Sequence, residues 1–465
     1  EVVHLGHNRS VSEVVHAAIQ EDVDAIAISS YQGGHMEYFT YLLELLKDNG
    51  AEHIKVFGGG GGTITLEEIQ VLELAGVSRI YHPAQGMEMG LVGMIDDLFR
   101  IIETPPVNKE QITGVKDQKT HFLQPDIDDE IKIAQTITAI EDGNISADIL
   151  ASLKINWKST TCETPVIGIT GTGGSGKSSV VDELLERFLR YRPDMRIAVL
   201  AVDPTRRKTG GALLGDRIRM NSLSSSNIYM RSMATRRQHL ATNEVLEDVS
   251  LFLRSVGYDL VFVETAGIGQ SDSQIVDIVD LSIYVMTSDY GAATQLEKID
   301  MVDYADIVIL NKYEKRGSED ALRDIRKQWR RNQNEFNCTD QEIPVYPAIA
   351  NQFNDPGLSY AFYNLCRLVV DKKGLDKDTW IPSSDKYPVD SKSVTLIPEN
   401  RIRYLSDISE DGRQIGLKNK AQTEFASEAF QAYSILSKLK DRMLPKPLEK
   451  YMESVGLECK NSIYI

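Results

Sequence analysis

Cysteine is scarce. The chain has four in 465 residues, Cys162, Cys338, Cys366 and Cys459, and no C-x-x-C pair. That excludes a disulfide framework and a zinc ribbon, and it suits a reducing, cytoplasmic setting. No apolar run approaches the roughly 20 residues that a bilayer span needs, and no signal peptide is visible, so no membrane is expected as a partner. Positive charge is also in deficit, with 51 Lys and Arg against 68 Asp and Glu and a formal net charge of −17. Such a balance argues against nucleic acid as a general partner, because a phosphate backbone is held by excess cationic charge. A single nucleotide stays open, since local sign matters more than the total, and Arg206-Arg207-Lys208 and Arg236-Arg237 are basic islands. Tandem repeats and low-complexity tracts are missing. The chain begins at Glu1, without methionine and inside an apolar stretch, and is expected to be a piece of a longer protein.

What is present is ordinary for folded protein: 42% hydrophobic and 26% charged residues, and a length that suggests about three domains. Residues 1–100 alternate strand and helix. Strands are expected at Val2–Leu5, 24–29, 54–57 and 79–81, with helices at 11–19, 36–46, 66–74 and 89–99. This pattern predicts an α/β domain with a parallel sheet covered on both faces. Pro105-Pro106 opens a polar, acidic connector, read as a linker over 101–160 with short helices at 131–140 and 145–153. Residues 161–380 read as a larger, doubly wound α/β domain with strands at 166–170, 196–202, 259–263, 282–287, 306–310 and 343–346. From 381 to 465 the chain reads as a further, mainly helical linker, with a helical period over 421–443.

The chemistry gathers at the strand ends of the larger domain, where open α/β sheets take ligands. Gly171-Thr172-Gly173-Gly174-Ser175-Gly176-Lys177-Ser178 fits G-x-x-x-x-G-K-[ST], between an apolar strand and a helical run. In that context the glycines turn backbone N–H groups onto phosphate oxygens, Lys177 reaches the terminal phosphates and Ser178 offers a hydroxyl to Mg²⁺. Ser179 continues the nucleotide-binding turn. A magnesium nucleotide needs hard oxygen ligands, and Asp203, Asp216 and Glu264 are candidates; the alternative for each acid is a helix cap or a solvated loop charge. Glu264-x-x-Gly267 stands where GTPases carry Asp-x-x-Gly, whose glycine senses the γ-phosphate. Asn311-Lys312-Tyr313-Glu314 is close to the guanine-reading Asn-Lys-x-Asp, with the carboxylate one methylene further out. Lys312 would lay its stem on the base.

Asp203-Pro204-Thr205, then Gly210-Gly211-Ala212-Leu213-Leu214-Gly215-Asp216-Arg217-Ile218-Arg219-Met220, then Glu264-Thr265-Ala266-Gly267-Ile268-Gly269-Gln270-Ser271 resemble the metallochaperone-type P-loop GTPases that serve adenosylcobalamin mutases. The resemblance implies Mg²⁺ contacts from Ser178, Val202 (by its carbonyl), Asp203, Asp216, Glu264 and Thr265. It implies a phosphate-side role for Arg219 and catalytic roles for Lys177 and Glu264 in GTP hydrolysis to GDP. Residues 1–100 resemble the flavodoxin-like cobalamin-binding domain of the same mutases. Ser29, Tyr31, Gly33, Gly34 and Gly59, Gly60, Gly61, Gly62 are the implied contacts to the cofactor, with His35 expected near the corrin edge and not as the cobalt ligand. A strand-end serine would bond the cofactor's nucleotide tail, and bare glycine backbone would let it come close. The family's Asp-x-His-x-x-Gly, which supplies the lower cobalt ligand, is expected just before residue 1, together with the first βα unit.

This domain order is similar to that of the fused isobutyryl-CoA mutases, and the stretch 391–465, with Arg401-Ile402-Arg403-Tyr404-Leu405, resembles the start of their mutase part. The resemblance implies an adenosylcobalamin enzyme interconverting isobutyryl-CoA and n-butyryl-CoA, in which acyl-CoA is met only through a mutase barrel, in a homodimer of the full protein. Loops near 203–216, 264–271 and 288–297, the last with Asp289-Tyr290-Gly291 and Gln295, would gate cofactor loading. Two alternatives remain open from sequence: a stand-alone GTP-dependent cobalamin chaperone for a separate mutase, and a P-loop kinase.

Overall fold

The computed structural model describes residues 1–31, 33–103, 125–160, 163–204, 212–235, 239–265, 272–290, 299, 301–335, 337–382 and 404–439. The chain divides into two compact units, residues 1–394 and 395–465.

The first unit holds two parallel sheets. In the small domain, β2 (Ala25–Ser29), β3 (Lys55–Gly59) and β4 (Arg79–Tyr81) pair in that order. They alternate with α1 (Val11–Gln20), α2 (His35–Asp48), α3 (Leu66–Ala75) and α4 (Pro83–Glu103), the last broken at Gly90, φ +66°. Local sequence sets the helix starts: Ser10 with Glu13 and Thr65 with Glu68 form reciprocal capping boxes on α1 and α3, each satisfying two otherwise orphaned N–H groups. The core is Val15, Phe39, Leu42, Leu46, Val56, Leu72 and Ile80. Gly58 is required here, because a Cβ would stand 2.7 Å from the Phe39 ring. The central strand β3 is buried on both faces, at Val56 and Phe57, as the alternation predicts, while Ala27 and Ser29 are exposed on the edge strand β2.

The N-terminal strand differs from expectation. Only Val2–Val3 (β1) is extended, and it joins no strand of the small domain. It pairs in parallel with β7 (Leu213–Leu214) of the large domain. Apolar residues announced a strand; nothing local announced its partner.

The large domain is a seven-stranded parallel sheet. Its strands are β5 (Val166–Gly171), β6 (Ile197–Pro204), β8 (Ile228–Thr235), β9 (Leu260–Thr265), β10 (Leu281–Met286), β11 (Ile307–Leu310) and β12 (Val345–Pro347), in the order β12-β11-β10-β5-β9-β6-β8. Near-continuous apolar strands such as β5 and β10 are buried along their whole length, as helices on both faces require. One face packs α7 (Lys177–Tyr191) and the helix Pro356–Lys373, with Phe188 at its centre; the other packs α8 (His239–Val256).

The stretch read as a linker is not a connector over its described part. Helices α5 (Glu130–Glu141) and α6 (Ala147–Thr160) put Ile133, Ile137, Ile140, Leu153 and Trp157 into the α8-side core. The Trp157 ring meets Phe252 at 5.5 Å between centroids. The large domain therefore takes its first core residues well before 161. Among its described residues the second unit carries one helix, Tyr404–Leu439, which begins nearly five turns ahead of the helical period read at 421.

Candidate functional site

The phosphate loop is built by close backbone approach. A Cβ on Gly171 would lie 1.9 Å from the Val285 carbonyl oxygen, so only glycine lets β5 end beside β10. Gly174 (φ +75°) and Gly176 (φ +93°) then turn the chain through left-handed backbone that side chains resist. Helix α7 starts at Lys177 with no side-chain cap from Gly176, which leaves its first N–H groups and positive dipole end facing the loop. Gly173 and Gly174 are exposed, Ser175 is buried and Ser179 is half-buried. Lys177 Nζ donates to the Gly171 carbonyl at 3.1 Å and reaches the Thr172 carbonyl at 3.5 Å, so its ammonium lies over the loop. The buried Ser178 hydroxyl donates to Glu264 Oε1 at 2.8 Å.

Strand register brings the acids to this edge. Ile169 of β5 stands opposite Glu264 of β9, and Val202 of β6 opposite Thr265; Asp203 follows Val202. Glu264 is 4% exposed, and burial, then the Asp216 charge, pushes its carboxyl up to about 7. Asp203 is pushed up to about 6, first by burial and then by contact with Asp216, while the Gly215 N–H pulls the other way. Glu264 Oε2 and Thr265 Oγ1 are buried and meet no hydrogen-bond partner. The spare Glu264 oxygen and Thr265 hydroxyl, beside Asp203 and Asp216, are hard oxygen donors of the kind a cation takes. Among the described residues no group of three or more His, Cys, Asp or Glu could hold a metal by itself. Arg219 is 67% exposed and stands 3.9 Å from Asp216, at the rim. Residues 266–271, with Gly267, lie outside the described residues, as do Gly291 and Gln295. Asp289 is described: it accepts from Thr287 at 3.1 Å and Lys315 at 2.9 Å, beside the Asn311–Glu314 loop.

That loop is braced against the phosphate loop. Asn311 Nδ2 donates to the Ser175 carbonyl at 2.8 Å, and its Oδ1 accepts from Ala350 N–H at 3.0 Å. Lys312, in left-handed backbone at φ +57°, donates to the Gly174 carbonyl at 2.8 Å. Tyr313 N–H donates to the Ala348 carbonyl at 3.1 Å. One carboxylate oxygen of Glu314 is buried with no partner, an acceptor free for a base edge. Sequence reasoning missed Ala348–Ala350. The signal was there, since this turn follows a readable strand at the same sheet edge.

The small domain gathers its candidates at the ends of β2 and β3. Ser29 and Tyr31 are exposed at the end of β2, and Gly33 and Gly34 open onto empty space, with nothing within 4 Å of an added Cβ. Gly60 packs on Ser30, where a Cβ would lie 1.9 Å from the carbonyl oxygen, and Gly61 packs on the Tyr31 ring at 2.5 Å. Gly59 and Gly62 meet only ordinary contacts. The open space at Gly33 and Gly34, beside a strand-end serine, fits a bulky ligand tail, while Gly60 and Gly61 are bare because the chain's own Ser30 and Tyr31 lie against them. His35 is buried at the start of α2, with Nε2 3.3 Å from Glu68 Oε2 of α3, tying together two helices of the domain.

Comparison with known proteins agrees with this geometry. The family described as methylmalonyl-CoA mutase-associated GTPase MeaB matches residues 133–384, more than half of the chain, and the B12-binding domain family matches residues 1–91. Proteins named fused isobutyryl-CoA mutase are similar almost throughout. The one from Geobacillus kaustophilus is 46% identical over 95% of this chain and 40% of its own length. Those from Cupriavidus metallidurans and Nocardia farcinica are 45% and 44% identical over 93% and 92% of this chain, and 38% and 39% of their own lengths. The chain thus spans about two fifths of the curated relatives it matches. It belongs to the methylmalonyl-CoA mutase-associated GTPase family, and it carries a B12-binding domain ahead of its GTPase domain.

Proposed function

We propose that the GTPase domain hydrolyses GTP to GDP in the cleft between the phosphate loop, the Asp203–Asp216–Glu264 cluster and the Asn311–Glu314 loop, and that turnover gates cobalamin loading next door. The carrying observation is the Ser178–Glu264 hydrogen bond of 2.8 Å, which joins the phosphate loop to the acidic cluster. Lys177 would stabilise charge on the terminal phosphates, the chief catalytic task in phosphoryl transfer. Ser178, Asp203, Asp216, Glu264 and Thr265, with the Val202 carbonyl, would hold Mg²⁺, which when bound neutralises phosphate charge. Glu314 would accept from a guanine edge, and Arg219 would serve the phosphate side from the rim.

Ser29, Tyr31, Gly33, Gly34 and Gly59 to Gly62 would seat the cobalamin tail, with His35 bracing the cleft wall. When bound, adenosylcobalamin supplies radical rearrangement chemistry; the residues of this domain hold and orient it. We place the end of the cobalamin-binding domain near 100 and the start of the GTPase domain near 130, where α5 begins and close to where the family match starts. We infer that the chain is part of a fused mutase interconverting isobutyryl-CoA and n-butyryl-CoA, supported by the similarity along nearly its whole length to proteins of that name. Acyl-CoA would bind a mutase barrel of the same enzyme, acting as a homodimer in the cytoplasm. No helix among the described residues is long and apolar enough to cross a membrane.

The deciding experiment is GTP turnover of the chain against Lys177→Ala. Loss of about 10²-fold or more with an unchanged melting temperature supports the reading; equal turnover refutes it.

A further inference from the structure

The acidic cluster is assembled from two sources. Ser178, Asp203 and Glu264 stand on α7, β6 and β9 of the GTPase domain itself. Asp216 does not share that support. It opens a helical turn, Asp216–Arg219, whose neighbours are held by the first 21 residues of the chain. Leu213 and Leu214 pair with Val2 and Val3, and His4 N–H donates to the Leu214 carbonyl at 2.8 Å. The Ile218 carbonyl accepts from Arg9 Nη2 at 3.2 Å. The segment is also tied to its own domain, at Gly215, whose N–H bonds Asp203, and at Asn221 and Ser222, which donate to Asp182 of α7 at 3.3 and 2.8 Å.

The strongest hold is on the residue next to Asp216. Arg217 and Glu21, at the end of α1, are 5% and 2% exposed and meet at 2.7 Å. Arg217 Nη2 also donates to Gln20 Oε1 at 2.6 Å and to the Met230 carbonyl at 2.7 Å. Glu21 takes the Ser232 N–H at 3.0 Å and the Ser232 hydroxyl at 2.9 Å as well. A buried ion pair returns little net stability, because desolvation offsets attraction; what it supplies is one fixed arrangement. Here the fixed element is the backbone that aims Asp216 at Asp203.

We infer that Arg217 is a positioning residue, which, gripped by Glu21 of the B12-binding domain, sets Asp216 for the cation of the bound nucleotide. The GTPase metal site is then complete only while α1 is in place. The same end of the small domain leads to the vitamin cleft: Tyr38, one turn into α2 from His35, donates its hydroxyl to the Arg9 carbonyl at 3.2 Å. A shift of α1 against α2 on cofactor binding therefore reaches Asp216, and coupling of this kind is reciprocal.

The inference rests on the proposed Mg²⁺·GTP reading, and the test separates the two. GTP hydrolysis by the whole chain is titrated with Mg²⁺ for the wild type, Glu21→Gln and Asp216→Asn, and fluorescent GDP affinity is measured in EDTA. Glu21→Gln should raise the half-activating Mg²⁺ concentration about tenfold with metal-free GDP affinity within about twofold of wild type. A clamp that merely stabilises the fold would lower the melting temperature and leave the Mg²⁺ midpoint where it was. If Asp216→Asn shifts the midpoint and Glu21→Gln does not, the inference is overturned alone. If Asp216→Asn leaves the midpoint unmoved, the cation assignment falls and takes the inference with it. Should Glu21→Gln lose its cooperative melt, Ser232→Ala, which removes one of the donors to Glu21, replaces it with the same expectations in smaller measure.

Discussion

Asn311 Nδ2 donates to the Ser175 carbonyl at 2.8 Å, so the loop proposed to read the base is tied directly to the glycine-rich loop proposed to hold the phosphates. The same amide oxygen accepts from Ala350, which ties in the turn after β12. Asn311→Ala leaves a carbonyl and an N–H unpaired in a buried place, at about 1–3 kcal/mol. Stability to urea should fall by that amount, and GTP and GDP should weaken together. Affinity unchanged for both would show that the brace has no part in nucleotide binding.

Glu314 bears on the choice of base. Its buried, unpartnered oxygen has no protein donor, and a guanine edge offers two N–H groups where adenine offers none in that arrangement. Glu314→Ala should cost GTP about ten- to a hundredfold in affinity, as lost bonds to a charged acceptor do, and leave ATP almost unmoved. Competition of each nucleotide against fluorescent GDP measures both. Equal losses would remove guanine reading from this residue.

Much of the nucleotide site was legible because its geometry is local. Gly171, Gly174 and Gly176 hold backbone that other residues resist, and Lys177 and Ser178 follow at fixed spacing on one helix start. The strand ends at Asp203, Glu264 and Asn311 were legible from apolar runs that stop at a polar residue. The edge strand β8 was not, because Arg231 and Ser232 interrupt its apolar run. Both are buried in the fold by partners distant in sequence: Arg231 by Glu141, 90 residues away, and Ser232 by Glu21, 211 residues away. Val2–Val3 was misassigned for the same reason. An apolar strand does not name its neighbour, and this one crosses to the other domain.

The reading of 101–160 as linker failed on burial. Trp157 is 1% exposed against Phe252, in a helix whose other faces are polar enough to look free. Trp157→Ala should open a cavity in the core of the GTPase domain and cost about 3–5 kcal/mol. Urea unfolding followed by far-UV circular dichroism would register it as an earlier midpoint. A cost under about 1 kcal/mol would return α6 to the status of a connector.

The acidic cluster makes a prediction about pH. The Glu264 carboxyl ordinarily titrates at 4.5 and in the fold sits at about 7, raised by burial first and Asp216 next. Its folded value lies above its unfolded one. Between those two values the metal-free folded chain holds a proton that the unfolded chain has given up. Stability must therefore fall as pH rises through that window, and it is fully retained below it. Asp203, raised from 3.8 to about 6, acts in the same direction over a lower range. For Glu264 the change is on the order of 2–3 kcal/mol. Melting of the metal-free chain should shift downward from pH 5 to pH 7.5 beyond what its other groups contribute. Glu264→Gln keeps an acceptor for Ser178 and cannot ionise, so it should melt higher than wild type at pH 7.5 and lose most of the difference at pH 5. Parallel pH profiles for the two proteins would mean that Glu264 is not held protonated by its surroundings, and that the cleft without its cation is less crowded with charge than its geometry implies.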